Sequence, residues 1–139
     1  CVTGDGELDE GQNWEAVMLG AKEKLHNLIV IVDRNNIQID GYTEDVMPLN
    51  SVAAKFASFN WHVQEIDGHN FEAIDAAIGV AKTVFDMPSV IIANTIPGKG
   101  VHEFERKPEW HGKVPNAEEA KQALRELRTL GGKLDFHQY

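Results

Sequence analysis

Residues 28–36, LIVIVDRNN, decide the fold. Five apolar residues, most of them β-branched, run directly into a polar stretch, which predicts a buried strand over residues 28–33 that ends at a turn. Three further segments predict strands of the same kind: residues 2–3, residues 61–66, which alternate apolar and polar, and residues 89–94, SVIIAN.

Helical patterns separate these strands. Apolar residues spaced by three and four, or a capping residue before an apolar stretch, predict helices over residues 13–23, over 51–59 with Ser51 or Asn50 as cap, over 71–85 capped by Asn70, and from Asn116 onward to a stop at Gly131-Gly132. Residues 35–48 and 95–115 are expected to be loops. The order predicts an α/β fold, a parallel sheet with helices on both faces.

Composition limits the functional classes. A chain of 139 residues corresponds to one domain, and its longest apolar run, residues 28–32, is too short to span a bilayer. A net charge of −9 argues against nucleic-acid binding and against binding to an anionic membrane. The single cysteine, Cys1, excludes an intrachain disulfide and fits a reducing compartment, so we expect a cytoplasmic protein.

The first residues suggest that the domain is partial. The chain starts with a strand-like stub two residues before a tight turn and has no initiator Met, so we expect that upstream residues are missing. At the other end, the sequence after the Gly-Gly stop suggests that the domain closes near Tyr139.

Unusual chemistry is concentrated in three loops at the carboxyl ends of predicted strands, where ligands bind in parallel sheets. In the first loop, GDGELDEG, Gly4 and Gly6 let the backbone approach a ligand and Asp5 offers a carboxylate. A calcium-binding loop is excluded because Glu10 stands where Gly is needed, and a dinucleotide fingerprint is excluded because Asp9 replaces its third Gly. An ordinary acidic turn before a helix remains an alternative.

The second and third loops add oxygen and nitrogen groups. Asp5 follows the predicted strand over residues 2–3, and Asn35 follows the predicted strand over residues 28–33. Because neighbouring strand ends lie a few Å apart, one hard cation such as Mg²⁺ could bind both side chains. Asn pairs are also ordinary turn residues. In the third loop, His111 could reach a phosphate or move a proton, although for this residue taken alone the sequence favours a solvated loop side chain.

Together these motifs resemble the signature of thiamine-diphosphate enzymes. GDGELDEG, LIVIVDRNNIQIDG, the Gly-Lys-Gly loop and EWHGKVP are similar to transketolases, in particular to the N-terminal subunit of split, two-gene transketolases. The resemblance covers essentially the whole chain. It implies the thiamine diphosphate-binding fold and a diphosphate-binding domain over residues 1–139 that lacks its upstream part.

The resemblance also implies site residues. Mg²⁺, with Ca²⁺ or Mn²⁺ as alternatives, would be held by the side chains of Asp5 and Asn35 and the backbone carbonyl of Ile37. His111 would contact the diphosphate near the substrate and is the catalytic candidate. The residues implied to bind thiamine diphosphate are Asp5, Gly6, Glu10, Asn35, Ile39, Ile96 and His111; Glu10 and Glu15 match a carboxylate network at a subunit interface.

The implied activity is transfer of a two-carbon ketol unit between sugar phosphates, as in the pentose phosphate pathway. The pyrimidine-binding part would come from a C-terminal transketolase subunit or domain, in a homodimer or heterotetramer. The family's upstream histidines and its activating glutamate have no counterpart in this sequence, so the chain alone should not turn over; His102 has no assigned role. Two alternatives remain: a component of a 2-oxo acid dehydrogenase, and a non-catalytic interaction domain of the same fold.

Overall fold

The computed structural model describes residues 1–129. The expected Gly131-Gly132 helix stop and the domain end near Tyr139 lie outside these residues. The strands are β1 (Val2–Gly4), β2 (Ile29–Arg34), β3 (Ile37–Gln38), β4 (Gly41–Tyr42), β5 (His62–Asp67) and β6 (Ser89–Asn94). The α-helices are α1 (Gly11–Lys22), α2 (Thr43–Val46), α3 (Val52–Ser58), α4 (Phe71–Ala81) and α5 (Ala117–Thr129).

Four strands form one parallel sheet in the order β1-β2-β6-β5. Its register aligns the carboxyl ends, since Gly4 pairs with Asp33 and Asn94 pairs with both Arg34 and Asp67. The segments that follow β1, β2 and β6 therefore leave the sheet at one edge. The predicted parallel sheet is confirmed.

Helices cover both faces of this sheet. On one face, Val32, Val90 and Ile92 pack in a core cluster with Val17 of α1 and Phe56 of α3. On the other face, Gln64 lies beside Ile91 in register, and its Nε2 donates to the carbonyl of Ala77 in α4 at 2.9 Å. Because successive residues of a strand point to opposite faces, α4 lies across the sheet from α1 and α3, as the sequence predicts.

Side-chain caps begin three of the helices at the predicted positions. Ser51 Oγ accepts from the Ala54 N–H at 3.1 Å, and Asn70 Oδ1 accepts from the first N–H groups of α4. Asn116 Oδ1 does the same for α5 at 3.0 Å. Each cap satisfies N–H groups that have no partner inside the helix.

Two expectations are wrong in detail. Residues 35–48, expected to be a loop, hold the antiparallel β3–β4 hairpin and the four-residue helix α2. Helix α4, expected to reach residue 85, ends at Ala81, because Thr83 turns back to the Val80 carbonyl through its N–H (2.9 Å) and its hydroxyl (2.7 Å). Across residues 1–129, no helix is long and apolar enough to cross a membrane.

Candidate functional site

A cleft of 760 Å³ opens where the segments after β1 and β2 leave the sheet. The two segments are joined at their base, since the Asp5 N–H donates to the Asp33 carbonyl at 3.1 Å. The cleft brings together eight residues that the sequence singled out: Gly4, Asp5, Gly6, Glu10, Asn35, Ile37, Ile39 and His111. The expected meeting of the first two loops is therefore observed.

Asp5 is fully buried although it carries a charge. Its Oδ2 accepts from Arg34 Nη1 at 2.9 Å and from the Asn36 N–H at 2.7 Å, and its Oδ1 accepts from Thr43 Oγ1 at 3.2 Å. These donors occupy three of the about four lone-pair positions of a carboxylate. One acceptor position on Oδ1 is left for a further ligand.

Arg34 connects Asp5 to a second carboxylate. Its Nη2 lies 2.5 Å from Glu44 Oε1, and the other oxygen of Glu44 accepts from the Asn50 N–H at 3.2 Å. Desolvation of Glu44 opposes ionisation, but the hydrogen bonds from Arg34 and from the Asn50 backbone outweigh it and hold its pKa below the usual value. The guanidinium thus balances charge on both carboxylates.

The Asn35 amide is held at both ends. Its Oδ1 accepts from the Ile37 N–H at 3.0 Å, and its Nδ2 donates to Asp33 Oδ2 at 2.9 Å. The other oxygen of Asp33 accepts from the hydroxyl of Thr95, the first residue after β6. One carboxylate therefore links the segment after β2 to the segment after β6.

Only one glycine of the Gly-Asp-Gly motif is required by the packing of this chain. A Cβ at Gly6 would lie 2.8 Å from Gln38 Cβ in the hairpin, whereas a Cβ at Gly4 would meet only Glu7 Oε2 at 3.6 Å. Gln38 Nε2 also donates to Asp9 Oδ2 at 3.2 Å. The first loop is pressed against the β3–β4 hairpin at Gly6, which keeps backbone close to the cleft.

A second cavity of 310 Å³ lies between the segments after β2 and β6. It shares Asn35, Ile37 and His111 with the cleft and adds Lys107 and Lys113. The Lys113 ammonium lies 3.8 Å from the centre of the Trp110 ring, and Trp110 packs against Phe104 in a tilted arrangement with ring centroids 4.0 Å apart. His111, which is exposed, thus stands where the two cavities meet.

Two predicted residues lie elsewhere. Within residues 1–129, Ile96 lines neither cavity; it is half-buried, and its N–H donates to His69 Nε2 at 2.7 Å. Glu15 is exposed on α1 and also lines neither. Ile39 does line the cleft, but 83% of it is exposed, so it sits at the rim. Their roles stay predictions.

Other residues of the site were missed by sequence reasoning. Asp33 and Arg34 end the same strand that placed Asn35 at the edge, so the strand-end argument would have included them. Thr43 and Glu44 carry no such signal, because they reach Asp5 and Arg34 only through the unpredicted fold of residues 35–48.

The oxygen groups fit a hard cation. Across residues 1–129, no three His, Cys, Asp or Glu side chains lie together as a metal site. The cleft is instead lined by Asp5, Asn35 and Ile37, whose carboxylate, side-chain amide and backbone carbonyl are the oxygen groups available to a metal. This mixed set suits Mg²⁺ or Ca²⁺, which take such oxygens together with phosphate. The chemistry of the site therefore fits a metal-bound diphosphate.

The chain belongs to the family of transketolase thiamine diphosphate-binding domains: the family model described as "Transketolase, thiamine diphosphate binding domain" matches residues 1–133. It is 45% identical over 130 residues to a 6-deoxy-6-sulfo-D-fructose transketolase subunit of Clostridium sp.. It is 41% identical over 128 residues to an apulose-4-phosphate transketolase subunit of Actinobacillus succinogenes. These matches cover 94% and 91% of this chain.

Solved structures agree with the family. Transketolase from Campylobacter jejuni superposes with a TM-score of 0.84 and 36% identity over 92% of this chain. The Pichia stipitis enzyme in complex with sedoheptulose 7-phosphate gives 0.84 and 35% over 91%. The chain spans about half the length of the split-subunit relatives, 47% and 46%, and about one fifth of the two transketolase structures, 20% and 19%. The resemblance and the fold class are confirmed.

Proposed function

We propose that this chain is the diphosphate-binding part of a transketolase that depends on thiamine diphosphate and a divalent metal. The enzyme would transfer a two-carbon ketol unit between sugar phosphates. The observation that supports this most is the convergence of Asp5, Asn35, Ile37 and His111 on one cleft at the carboxyl edge of a parallel sheet. Family membership supports the same cofactor.

The proposed roles follow from the oxygen groups and their surroundings. Asp5 and Asn35 hold Mg²⁺ by side chain and Ile37 by its carbonyl, with Mn²⁺ or Ca²⁺ as substitutes. Gly6 places backbone beside the diphosphate. Thiamine diphosphate supplies the carbanion chemistry when bound, while the chain orients it and neutralises its phosphates through the metal.

His111 is proposed as the residue that reaches from the diphosphate toward the substrate. It lines both the 760 Å³ cleft and the 310 Å³ cavity, so one imidazole has access to ligands in either space. An imidazole in that place can donate to a phosphate oxygen or carry a proton. Ile39 and Ile96 are proposed to pack the cofactor ring, and Glu10 and Glu15 to serve a subunit interface.

The rest of the active site is proposed to come from a partner. Two relatives are named as transketolase subunits, and the chain spans 47% and 46% of them. We therefore propose a homodimer or heterotetramer in which a C-terminal subunit or domain supplies the pyrimidine-binding part. A cytoplasmic location and a place in pentose phosphate metabolism belong to the same proposal.

The activity is tested with the assembled enzyme. The complete protein and its partner are mixed with thiamine diphosphate and Mg²⁺, and ketol transfer from xylulose 5-phosphate to an aldose acceptor is measured. Transfer that needs both cofactor and metal is expected. Absence of transfer from any ketose phosphate, together with activity on pyruvate, would assign the chain to the 2-oxo acid dehydrogenase type instead.

The metal assignment is tested by Asp5→Asn. The amide keeps one oxygen to accept from the Asn36 N–H, and its NH₂ can donate to Thr43 Oγ1, but the charged ligand is removed. We expect Mn²⁺ affinity in the presence of thiamine diphosphate to fall by more than about 100-fold. This exceeds the loss of affinity that is typical when a residue that only hydrogen-bonds to a metal ligand is replaced. Asp75→Asn, an exposed carboxylate on α4, is the charge-matched control and should bind as the parent does. Unchanged affinity in Asp5→Asn would remove Asp5 from the ligand set.

A further inference from the structure

The Asp33 carboxylate contacts Asn35, which lines the cleft. Its residue pairs in register with Gly4 on one side and Ala93 on the other, so its backbone is fixed by two neighbouring strands. One carboxylate oxygen accepts from Asn35 Nδ2 at 2.9 Å, and the other accepts from the Thr95 hydroxyl. Asp33 also lines the 310 Å³ cavity. The proposed roles above leave this residue unused.

The contacts of Asn35 define which way its amide points. A carboxylate only accepts hydrogen bonds, so the NH₂ group of Asn35 must turn toward Asp33. Its carbonyl oxygen then points to the Ile37 N–H, which donates to it at 3.0 Å. A flipped amide would set oxygen against carboxylate and NH₂ against N–H, losing both bonds. Asp33 and the Ile37 N–H therefore select one of the two amide orientations.

We propose that Asp33 is a positioning residue: by accepting from Asn35 Nδ2, it directs Asn35 Oδ1 to a divalent cation in the cleft. This inference rests on the proposed function, since it presupposes that Asn35 ligates the metal of a bound diphosphate. A carbonyl oxygen with one acceptor position taken by Ile37 retains a second for the cation. Because Thr95 holds the other oxygen of the same carboxylate, the orientation of Asn35 is tied to the segment after β6.

A pair of variants separates this role from the charge of Asp33. Asp33→Ala and Asp33→Asn remove the same negative charge, which by itself weakens binding of a divalent cation. Only Asp33→Asn keeps an oxygen that can accept from Asn35 Nδ2, while its NH₂ can donate to Thr95 Oγ1. The difference between the two variants therefore reports the hydrogen bond to Asn35 and not the field of the carboxylate.

The measurement is a Mn²⁺ titration by electron paramagnetic resonance in the presence of thiamine diphosphate, on the complete protein assembled with its partner. We expect Asp33→Asn to bind Mn²⁺ about tenfold or more tightly than Asp33→Ala, the size of effect that loss of a partner of a metal ligand produces. Equal affinities in the two variants would mean that Asp33 affects metal binding only through its charge, which would overturn the proposal. If the parent shows no cofactor-dependent Mn²⁺ binding, the proposed function fails and the inference falls with it.

A second measurement needs no metal, and its result in the parent protein already tests the proposal. The side-chain NH₂ resonance of Asn35, assigned by its loss in Asn35→Asp, reports the hydrogen bond directly in the ¹⁵N-labelled protein. We expect one of its protons downfield of the random-coil position in the parent and in Asp33→Asn, and a return to that position in Asp33→Ala. A random-coil position in the parent would overturn the proposal, even where Asp33→Ala does not fold.

Discussion

At the scale of single residues, the balance of charge around Asp5 matters most. A buried carboxylate is stable only when donors and a counter-charge surround it, and Asp5 has Arg34, Thr43 and the Asn36 N–H. Asn36 reaches this place with a left-handed backbone, at φ +65°, which asparagine adopts more readily than most residues. The second residue of the Asn pair thus supplies a backbone donor, while the first offers its side chain.

Replacing Arg34 with Met should expose how much Asp5 depends on its counter-charge. The ion pair is largely buried, with 12% of the Arg34 and 1% of the Asp5 side chain exposed, and loss of one partner of such a pair costs about 3–5 kcal/mol. We expect urea unfolding to show a loss of this order, and Mg²⁺ with thiamine diphosphate to recover part of it.

The matched control for Arg34 is a cation in an exposed pair. Lys22 contacts Glu23 with 76% and 50% of the side chains exposed, so Lys22→Met should change stability by less than about 1 kcal/mol. If both variants unfold at the same urea concentration, the Arg34–Asp5 pair does not carry the stability assigned to it.

Single residues also show where sequence reasoning stops. Asp5 and Asn35 are foreseeable because each follows a strand, and parallel strand ends share an edge. The hydrogen bond from Thr43 to Asp5 joins positions 38 apart in the chain, and no local sequence pattern predicts it. Ile96 rests on the resemblance alone: its N–H donates to His69 and it lines neither cavity described above, so its place at the cofactor stays a proposal.

At the scale of elements, the start of α5 combines a cap with an ion pair. Asn116 Oδ1 accepts from the N–H groups of Glu118 and Glu119, and Glu119 Oε2 accepts in return from the Asn116 N–H at 2.8 Å. The Lys113 hydrogen bond, with help from the Asn116 backbone, holds the pKa of Glu119 below its usual value. A lowered carboxyl pKa means that this support is present at neutral pH and is lost as the pH falls through the lowered value.

Asn116→Ala should therefore loosen α5. Loss of a side-chain cap costs about 1 kcal/mol, and we expect faster amide hydrogen exchange in the first turns of the helix. Asn116→Ser, which keeps a capping oxygen, is the matched control and should exchange at nearly the parent rate. Equal exchange in the alanine and parent proteins would mean that the cap does not stabilise this helix.

Elements differ in how well a sequence announces them. Both ends of the strand over Ser89–Asn94 are predicted correctly. In an alternating order of strands and helices, a short apolar run between polar neighbours indicates a buried strand. The β3–β4 hairpin is missed because strands of two residues are too short to display a period. Helix α4 is predicted too long because Val84 and Phe85 continue its apolar pattern, although the helix has ended and 74% of Phe85 is exposed.

At the scale of the whole molecule, the aromatic cluster of Trp14, Phe56 and Trp61 joins helices α1 and α3 to the sheet. The Phe56 ring lies 5.4 Å from the rings of Trp14 and Trp61, and it is completely buried. Trp61 Nε1 donates to the Val17 carbonyl at 2.9 Å, so the cluster also satisfies its polar atoms. The core thus lies on the face of the sheet that α1 and α3 cover.

Phe56→Ala should destabilise the whole domain. Removing a fully buried phenylalanine costs about 3–5 kcal/mol through lost burial and the cavity left behind, and we expect the urea midpoint to fall accordingly. Phe71→Ala is the control, because 85% of Phe71 is exposed, and its midpoint should shift little. A similar small shift in both variants would contradict the central place of Phe56.

The architecture as a whole follows from chain order, since alternating strands and helices leave few alternatives to a parallel sheet with its ligand edge at the strand ends. What chain order cannot supply is the remainder of the active site. The chain spans 20% of the Campylobacter jejuni transketolase. Any residue of the proposed partner that binds the sugar or activates the cofactor would lie in another sequence, so this one cannot predict it.

The three tryptophans lie in two kinds of environment, which their fluorescence can distinguish. Trp14 and Trp61 each donate their indole N–H to a backbone carbonyl in the core. Trp110 instead lines the 310 Å³ cavity under the Lys113 ammonium. A ligand that enters this cavity changes the polarity around one indole and leaves the other two as they were. Near-ultraviolet emission of the unlabelled protein therefore carries its own signal of occupancy, readable in real time by stopped flow.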